Sequence, residues 1–521
     1  MDISKLTLRE KAAQTAVIMV SSTKIGKEQY GGIYVGAAVA EHGHIFTLEE
    51  NKDLIEKYQK SANIPLLVCS DFEHGCPSVK GLVSFPHVMA LGATRDEQLA
   101  YDYGKATAIS GNSIGINWAF APVCDLSTGG HFCQANGRTI TDDPDYAIKM
   151  CNQIIKGMQD NRMAACAKHF PGATFDVRDA HVTQGTVACS REEWEATAGK
   201  VFRQVINAGV DTIMTAHKSF PACQTECDED GVNPPATLSE ELTTGLLKKE
   251  LGFEGIVVTD ALDMGGVLGW YDTKEEAEIG CIKAGSDMVL WPSDGYVDNL
   301  VKAVETGEVS MERLDDAVSR ILRVKEKMGL FESHAKKIYS TPLTEAEKLF
   351  AEDVKWRTAE HSITLVKDKK HLFPLTPEKT KKIAVVPITH YWPAHVLGER
   401  IVDELKKRGF DVDYRKEVMP VEDIDNYDAL IYASFEAYGQ PLGFSGYMND
   451  EYLKVIRPNR YGREKSAVVS FGNPHLGYRY FGRCFNYVNA YSIEFSSVES
   501  YVKAITGEIA FTDYSPVKLN G

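Results

Sequence analysis

Through the first 330 residues, short apolar runs alternate with longer amphipathic stretches. The runs at 32–39, 64–70, 116–122, 163–169, 212–217, 256–260 and 287–291 predict strands, and 16–20 predicts either another strand or part of the first helix. Between them, 48–61, 146–158, 191–208 and 239–251 repeat apolar residues at helical spacing. Strand, crossover helix and strand in steady alternation is the sequence form of a parallel sheet. Seven or eight such units predict an α/β chain that opens with a (β/α)8 TIM-type barrel over residues 1–335, with a doubly wound open sheet as the alternative.

The barrel is expected to close with a helix over 311–327, where Leu314, Val318, Ile321 and Leu322 share one face and Gly329 marks the stop. Residues 336–375 read as a connecting arm with one helix and a strand-like run at 362–366. From Lys382 the alternation restarts: apolar runs at 383–388, 410–414, 429–435 and 467–471, with a helix over 394–408. This predicts a smaller α/β sandwich domain over 376–521.

Composition narrows the function classes. With 44% hydrophobic and 25% charged residues the chain has the make-up of a soluble globular protein. Its formal charge of −16 repels a polyanion, which argues against nucleic acid as partner. Charged residues at Asp2, Arg9, Glu10 and Lys11 interrupt any signal-peptide core, and no apolar run reaches the roughly eighteen residues a membrane span needs. The expected address is the cytoplasm. The eleven cysteines are irregularly spaced, and Cys223-x-x-x-Cys227 has no second pair to complete a tetrahedral site. They are expected as reduced thiols, with no metal and no cofactor.

Barrel enzymes carry their chemistry at the C-terminal ends of the strands. Ionisable residues stand at five such exits: Asp71, Asp125, the pair Lys168-His169, His217 and Asp260. Asp260 ends a β-branched run and reads as a nucleophile, or as a helix cap. In Asp179-Ala180-His181 an extended backbone points both ionisable side chains the same way, so the carboxylate can orient the imidazole for general acid/base work. Lys168 and His169 can bind sugar hydroxyls, or Lys168 can form a Schiff base. Pro171-Gly172 predicts a turn that releases a mobile loop bearing His181.

On these motifs the chain resembles the family 3 glycoside hydrolases, and within them the β-N-acetylglucosaminidase branch. The similarity runs from Leu6-Thr7-Leu8-Arg9-Glu10-Lys11 through Gly115-Ile116-Asn117-Trp118-Ala119-Phe120-Ala121-Pro122. It is sharpest in Lys168-His169-Phe170-Pro171-Gly172 with Asp179-x-His181, and in Val258-Thr259-Asp260-Ala261-Leu262-Asp263-Met264. The resemblance implies a retaining, exo-acting enzyme that removes terminal β-linked N-acetylglucosamine. Asp260 would be the nucleophile, His181 the acid/base and Asp179 its partner. Asp71, Arg138, Lys168 and His169 would bind the sugar, and His217, at a strand exit on the same rim, is expected to join them as a substrate-binding residue.

The same site could act as a phosphorylase giving a sugar 1-phosphate, or take β-glucosides. A Schiff-base lyase using Lys168 and a non-catalytic carbohydrate-binding protein are the alternatives from other classes. Two departures from the branch stand out. Its His-Gly-Asp-Thr after Pro-Gly is replaced by Ala173-Thr174-Phe175-Asp176. After Asp71, Glu73 leads into His74-Gly75-Cys76-Pro77 where the branch has arginines, which leaves Lys80 as the nearest cation.

Overall fold

Eight of the predicted apolar runs become neighbours in one parallel sheet. In the computed structural model they are β1 (Ala16–Met19), β2 (Gly32–Tyr34), β3 (Leu67–Ser70), β4 (Trp118–Ala119), β5 (Ala164–Phe170), β6 (Thr212–Thr215), β7 (Ile256–Thr259) and β8 (Val289–Leu290). The structure describes residues 2–36, 40–41, 44–127, 138–176, 178–389, 394–417, 419–435, 460–475, 478 and 484–519. The end of the predicted run 32–39 lies outside them.

Neighbouring strands follow chain order, from β7 back to β1 and then β8. A parallel bridge between Val258 and Met288 joins the two outer strands, with Thr259 N–H donating to the Met288 carbonyl at 3.1 Å. The sheet therefore comes round on itself as a barrel, and the open-sheet alternative falls. The ambiguous run at 16–20 is a strand. Those at 116–122 and 287–291 shorten to two residues each: β4 pairs with β3 and β5, whereas β8 pairs with β1 and the preceding Met288 makes the bridge to β7.

The helices follow the capping rules. Thr47 caps Leu48–Ser61 in a reciprocal capping box with Glu50, and Pro144 opens Pro144–Gln159 where its missing N–H costs nothing. Met311–Lys327 begins on the Ser310 side chain and ends before Gly329, whose φ of +70° suits the stop. The expected single helix over 191–208 is two, Arg191–Ala196 and Ala198–Asn207. They break at Thr197, which leaves helical geometry with φ −125° and ψ −106°.

A second sheet is built from β9 (Thr364–Asp368), β10 (Lys382–Ile388), β11 (Asp411–Tyr414), β12 (Ala429–Ser434), β13 (Ser466–Ser470) and β14 (Asn486–Asn489), in the order β9-β14-β13-β12-β10-β11. Only β9 runs antiparallel. Alternate residues feed separate cores on its two faces: Ile383, Val385, Ile431 and Val469 on one, Ala384, Val386, Leu430 and Val468 on the other. Burial on both sides explains why these strands read as continuous apolar runs.

By its internal contacts the chain divides into two compact units. The first holds residues 1–84, 100–126 and 144–352; the second holds 85–99, 127–143 and 353–521. No helix among the described residues is long and apolar enough to cross a membrane.

Candidate active site

The floor of the site is carried by the ends of β2, β3 and β5, with β4 between the last two. All seven residues of β5 are buried, and near its end the Lys168 ammonium sits 3.2 Å from Asp71 Oδ1 and 2.7 Å from Glu73 Oε1. From the end of β2, the Tyr34 hydroxyl donates to Asp71 Oδ2 at 2.9 Å. Burial, and then the nearby Asp71 charge, push the Tyr34 phenol well above its usual range, so it remains a donor. Asp71 is thus held by a cation and a hydroxyl while its side chain stays 42% exposed, the arrangement of an acceptor for hydroxyl hydrogen bonds.

His169 is fixed from behind. A carboxylate only accepts, so Nδ1–H donates to the fully buried Asp125 Oδ2 at 2.7 Å, which leaves Nε2 on the far side of the ring. Asp125 also accepts the main-chain N–H of His169 at 3.2 Å and of Ala173 at 2.6 Å. One carboxylate therefore sets both the imidazole and the turn that follows it, where Gly172 adopts φ +125°.

Asp260 follows β7 directly. Its N–H donates to the Thr215 carbonyl at 3.2 Å, and its Oδ1 accepts the Ala261 N–H at 2.8 Å. Burial alone would raise its pKa. The fields of His169 and His217, the Ala261 N–H and Lys168 outweigh that and hold it below the usual carboxylate value. The group is a carboxylate at neutral pH, with Oδ2 free of that main-chain bond.

His217 has a different part. It is fully buried; Nε2 donates to the Ala261 carbonyl at 2.9 Å, and Nδ1 lies 2.9 Å from the Thr237 hydroxyl. Burial lowers its pKa against the opposing pull of Asp260, and Nδ1 faces the Thr237 hydroxyl. Both nitrogens are committed to protein partners, and the imidazole props the main chain beside Asp260. His181 and His169 also depress the His217 pKa, which places the three rings within one another's fields.

The Asp179-x-His181 pair forms as the spacing predicts. Asp179 Oδ1 accepts from His181 Nδ1 at 2.8 Å and from its main-chain N–H at 3.0 Å. Asp179 is buried, whereas the His181 side chain is 38% exposed, so Nε2 is the nitrogen presented outward. The segment is tied to the loop that follows Asp260: Gly265 N–H donates to the His181 carbonyl and Gly266 N–H to the Ala180 carbonyl, each at 2.9 Å.

Asp176, one of the substituted loop residues, anchors the approach. It accepts the Arg178 N–H at 2.9 Å and pairs with the Arg178 guanidinium at 2.6 Å. Asp176 Oδ2 also accepts the Thr186 N–H, which joins this turn to the residues that follow His181.

The structure gathers Lys168 with Asp71, and Asp260 with His217, His169 and the Asp179–His181 pair. Arg138 is partly buried and belongs to the second compact unit. Lys80 is exposed, and the cation beside Asp71 is Lys168. With Nζ between two carboxylates and only 2% of its side chain exposed, Lys168 has the setting of an ion-paired anchor rather than of an amine open to a carbonyl.

Tyr34 and Glu73 were not assigned from sequence. Tyr34 ends an apolar strand and reads as core, and Glu73 carries no motif of its own. The partnership of Asp125 with His169 spans 44 residues and leaves no local pattern. No cluster of three or more metal-ligating side chains occurs among the described residues.

The model for the N-terminal domain of glycosyl hydrolase family 3 matches residues 7–324. The chain is 28% identical over 525 residues to a β-N-acetylglucosaminidase/β-glucosidase of Cellulomonas fimi, covering 93% of this chain and 89% of the relative. Among solved structures, a family 3 β-N-acetylglucosaminidase from a Paenibacillus species superposes with TM-score 0.82 at 27% identity over 99% of both chains. A β-glucoside phosphorylase superposes with TM-score 0.84 at 26% identity over 99% of this chain and 95% of its own.

Proposed function

We propose that this chain, which belongs to glycosyl hydrolase family 3 and is a glycoside hydrolase, is a retaining, exo-acting β-N-acetylglucosaminidase working through Asp260, His181 and Asp179. The observation that carries this reading is the Asp179–His181 pair hydrogen-bonded, through its main chain, to the loop that begins at Asp260.

In the first step Asp260 Oδ2 attacks the anomeric carbon and the glycosidic C–O bond breaks. The His181 imidazolium gives its Nε2 proton to the departing oxygen, while Nδ1–H stays on Asp179. The neutral Nε2 then takes a proton from water; the hydroxide oxygen bonds to the anomeric carbon, and the Asp260 ester bond breaks with its electron pair returning to the carboxylate. Asp71, Lys168 and His169 are assigned to the sugar hydroxyls, and His217 to holding the main chain at Ala261. Ten free cysteines among the described residues fit a reducing, cytoplasmic setting.

A second reading has phosphate as the acceptor, yielding a sugar 1-phosphate. The similarity to a β-glucoside phosphorylase over almost the whole chain favours it. An imidazole base also admits an anionic acceptor that a carboxylate would repel.

Nitrophenyl β-glycosides of N-acetylglucosamine, glucose and xylose, assayed with and without phosphate, test both readings. Preferred release of free N-acetylglucosamine with retained configuration supports the first. Sugar 1-phosphate as the main product replaces it with the second, and an inverted product or no turnover of any glycoside rejects both.

A further inference from the structure

The aromatic residues inside the barrel form a chain that ends at its mouth. Trp118 on β4 is fully buried, and its indole N–H donates to the Thr212 hydroxyl of β6 at 2.9 Å. Phe120 lies edge-on to Trp118 with ring centres 4.9 Å apart, and stacks on Tyr34 of β2 at 6.3 Å. Tyr34 in turn meets Trp291 at 5.1 Å, with the two rings inclined by 78°. The contacts from β4 to β6, β4 to β2 and β2 to β8 each skip the strand between, which is how side chains layer inside a barrel. Trp291 follows β8 directly, next to the strand that leads into Asp260, and its neighbour Tyr34 donates to Asp71.

Trp291 is unlike the core tryptophan Trp118. It is only half-buried, and its buried indole nitrogen meets no acceptor among the described residues. Its φ is +56°, a region that a bulky residue adopts only where the surroundings impose it. They do so here. The Trp291 N–H donates to the Val17 carbonyl at 2.9 Å, and its carbonyl accepts the Lys274 ammonium at 2.8 Å. One turn along the same helix, Lys274–Ala284, the fully buried Glu278 accepts the N–H and the hydroxyl of Ser293 at 2.5 and 2.9 Å. With the indole nitrogen buried and both main-chain groups bonded, the surface that Trp291 leaves open is ring carbon.

We infer that Trp291 is a sugar-binding residue: its indole is the apolar wall against which the C–H groups of the sugar rest while Asp71 takes hydroxyls. The inference rests on the glycosidase reading above. A pyranose carries hydroxyls around its edge and C–H groups on its faces, so its pocket needs an apolar surface beside a few polar groups. Asp71, Lys168, His169 and Asp260 supply only the polar part. Covering the ring removes it from water in the ground state and the transition state alike, so the gain appears in KM and in product binding rather than in kcat.

Free N-acetylglucosamine and glucose, titrated into the enzyme and followed by tryptophan fluorescence, test this beside nitrophenyl glycoside kinetics. The sugar that inhibits competitively is expected to change the emission with a midpoint equal to its Ki. Trp291→Phe keeps a ring, so Ki and KM should hold within about threefold while most of the emission change disappears. Trp291→Ala should raise both constants about tenfold with little change in kcat. Thermal denaturation checks its folding; if it does not fold, the emission change in Trp291→Phe decides alone.

An emission that saturating sugar leaves unchanged, or a change that Trp291→Phe retains in full, overturns the inference and leaves the glycosidase reading standing. So does an unaltered Ki in folded Trp291→Ala. No turnover of any glycoside overturns the glycosidase reading and the inference with it.

Discussion

Gly266 joins three parts of the site, and adding one carbon there is the most informative perturbation. A Cβ on Gly266 would sit 2.8 Å from His217 Cβ and 2.9 Å from the Ala180 carbonyl oxygen. Ordinary contact begins near 3.4 Å, so Gly266→Ala must push its neighbours apart by about half an ångström. One neighbour carries the acid/base two residues from Asp179; the other props the main chain next to Asp260.

Misplacing a catalytic group by about 1 Å costs on the order of 100-fold in rate, or ~2.7 kcal/mol of barrier. Proton donation matters most when the leaving group is poor. At about half that displacement Gly266→Ala should lower kcat/KM about tenfold for a phenyl or alkyl glycoside and by much less for a dinitrophenyl glycoside. Thermal denaturation run alongside checks that the variant is folded. Equal losses on both substrates, or no loss on either, would refute the view that this contact sets the His181 position.

Other expected outcomes follow from single groups. Asp125→Asn removes the carboxylate that fixes His169; loss of a buried charged hydrogen bond of about 1.5–3 kcal/mol predicts a tenfold or greater fall in kcat/KM, measured by steady-state kinetics. Tyr34→Phe removes one donor to Asp71 and should raise KM severalfold with kcat little changed, which tests Asp71 as a sugar ligand. Lys325 is fully buried with one hydrogen bond, to Gln14 Oε1 at 2.8 Å, and burial lowers its pKa from 10.5 to about 7. Between those values the unfolded chain holds a proton that the folded one has shed, so this group makes stability rise with pH from about 7 to about 10.5, by roughly 5 kcal/mol in total. In urea denaturation Lys325→Met should be more stable than wild type at pH 6, and the gap should shrink by pH 9; a gap independent of pH contradicts the assignment.

How much of this could be read from the chain depended on where the partners lie. The run at 163–169 announces both a buried strand and the Lys168-His169 pair at its end, because strand burial is a local pattern. Met311–Lys327 was equally plain, since its apolar face, N-cap and terminal glycine all lie within the segment itself. Asp179 and His181 are two residues apart, so their bond needed only an extended backbone.

β14 was missed for a physical reason. Asn486 and Asn489 occupy core positions, and the Asn486 side-chain nitrogen donates to the Glu464 and Ser466 carbonyls, so the strand carries no apolar run. His217 sat at the right strand end, yet its commitment to Ala261 and Thr237 depends on loops 20 and 44 residues away. The anchoring of the His181 segment was hidden in the same way. Pro171-Gly172 signals a turn, whereas the bonds from Gly265 and Gly266 come from a loop more than 80 residues later and exist only once the barrel has formed.

The account stands or falls on Asp260 as the atom-transferring carboxylate. A slow 2-fluoro glycosyl substrate, followed by mass spectrometry of the intact protein and of its peptides, reads this directly. The account predicts one sugar added per chain on the peptide bearing Asp260, and none in Asp260→Ala. A sugar carried by another residue, or an unlabelled enzyme that still turns the glycoside over with inversion, would contradict it.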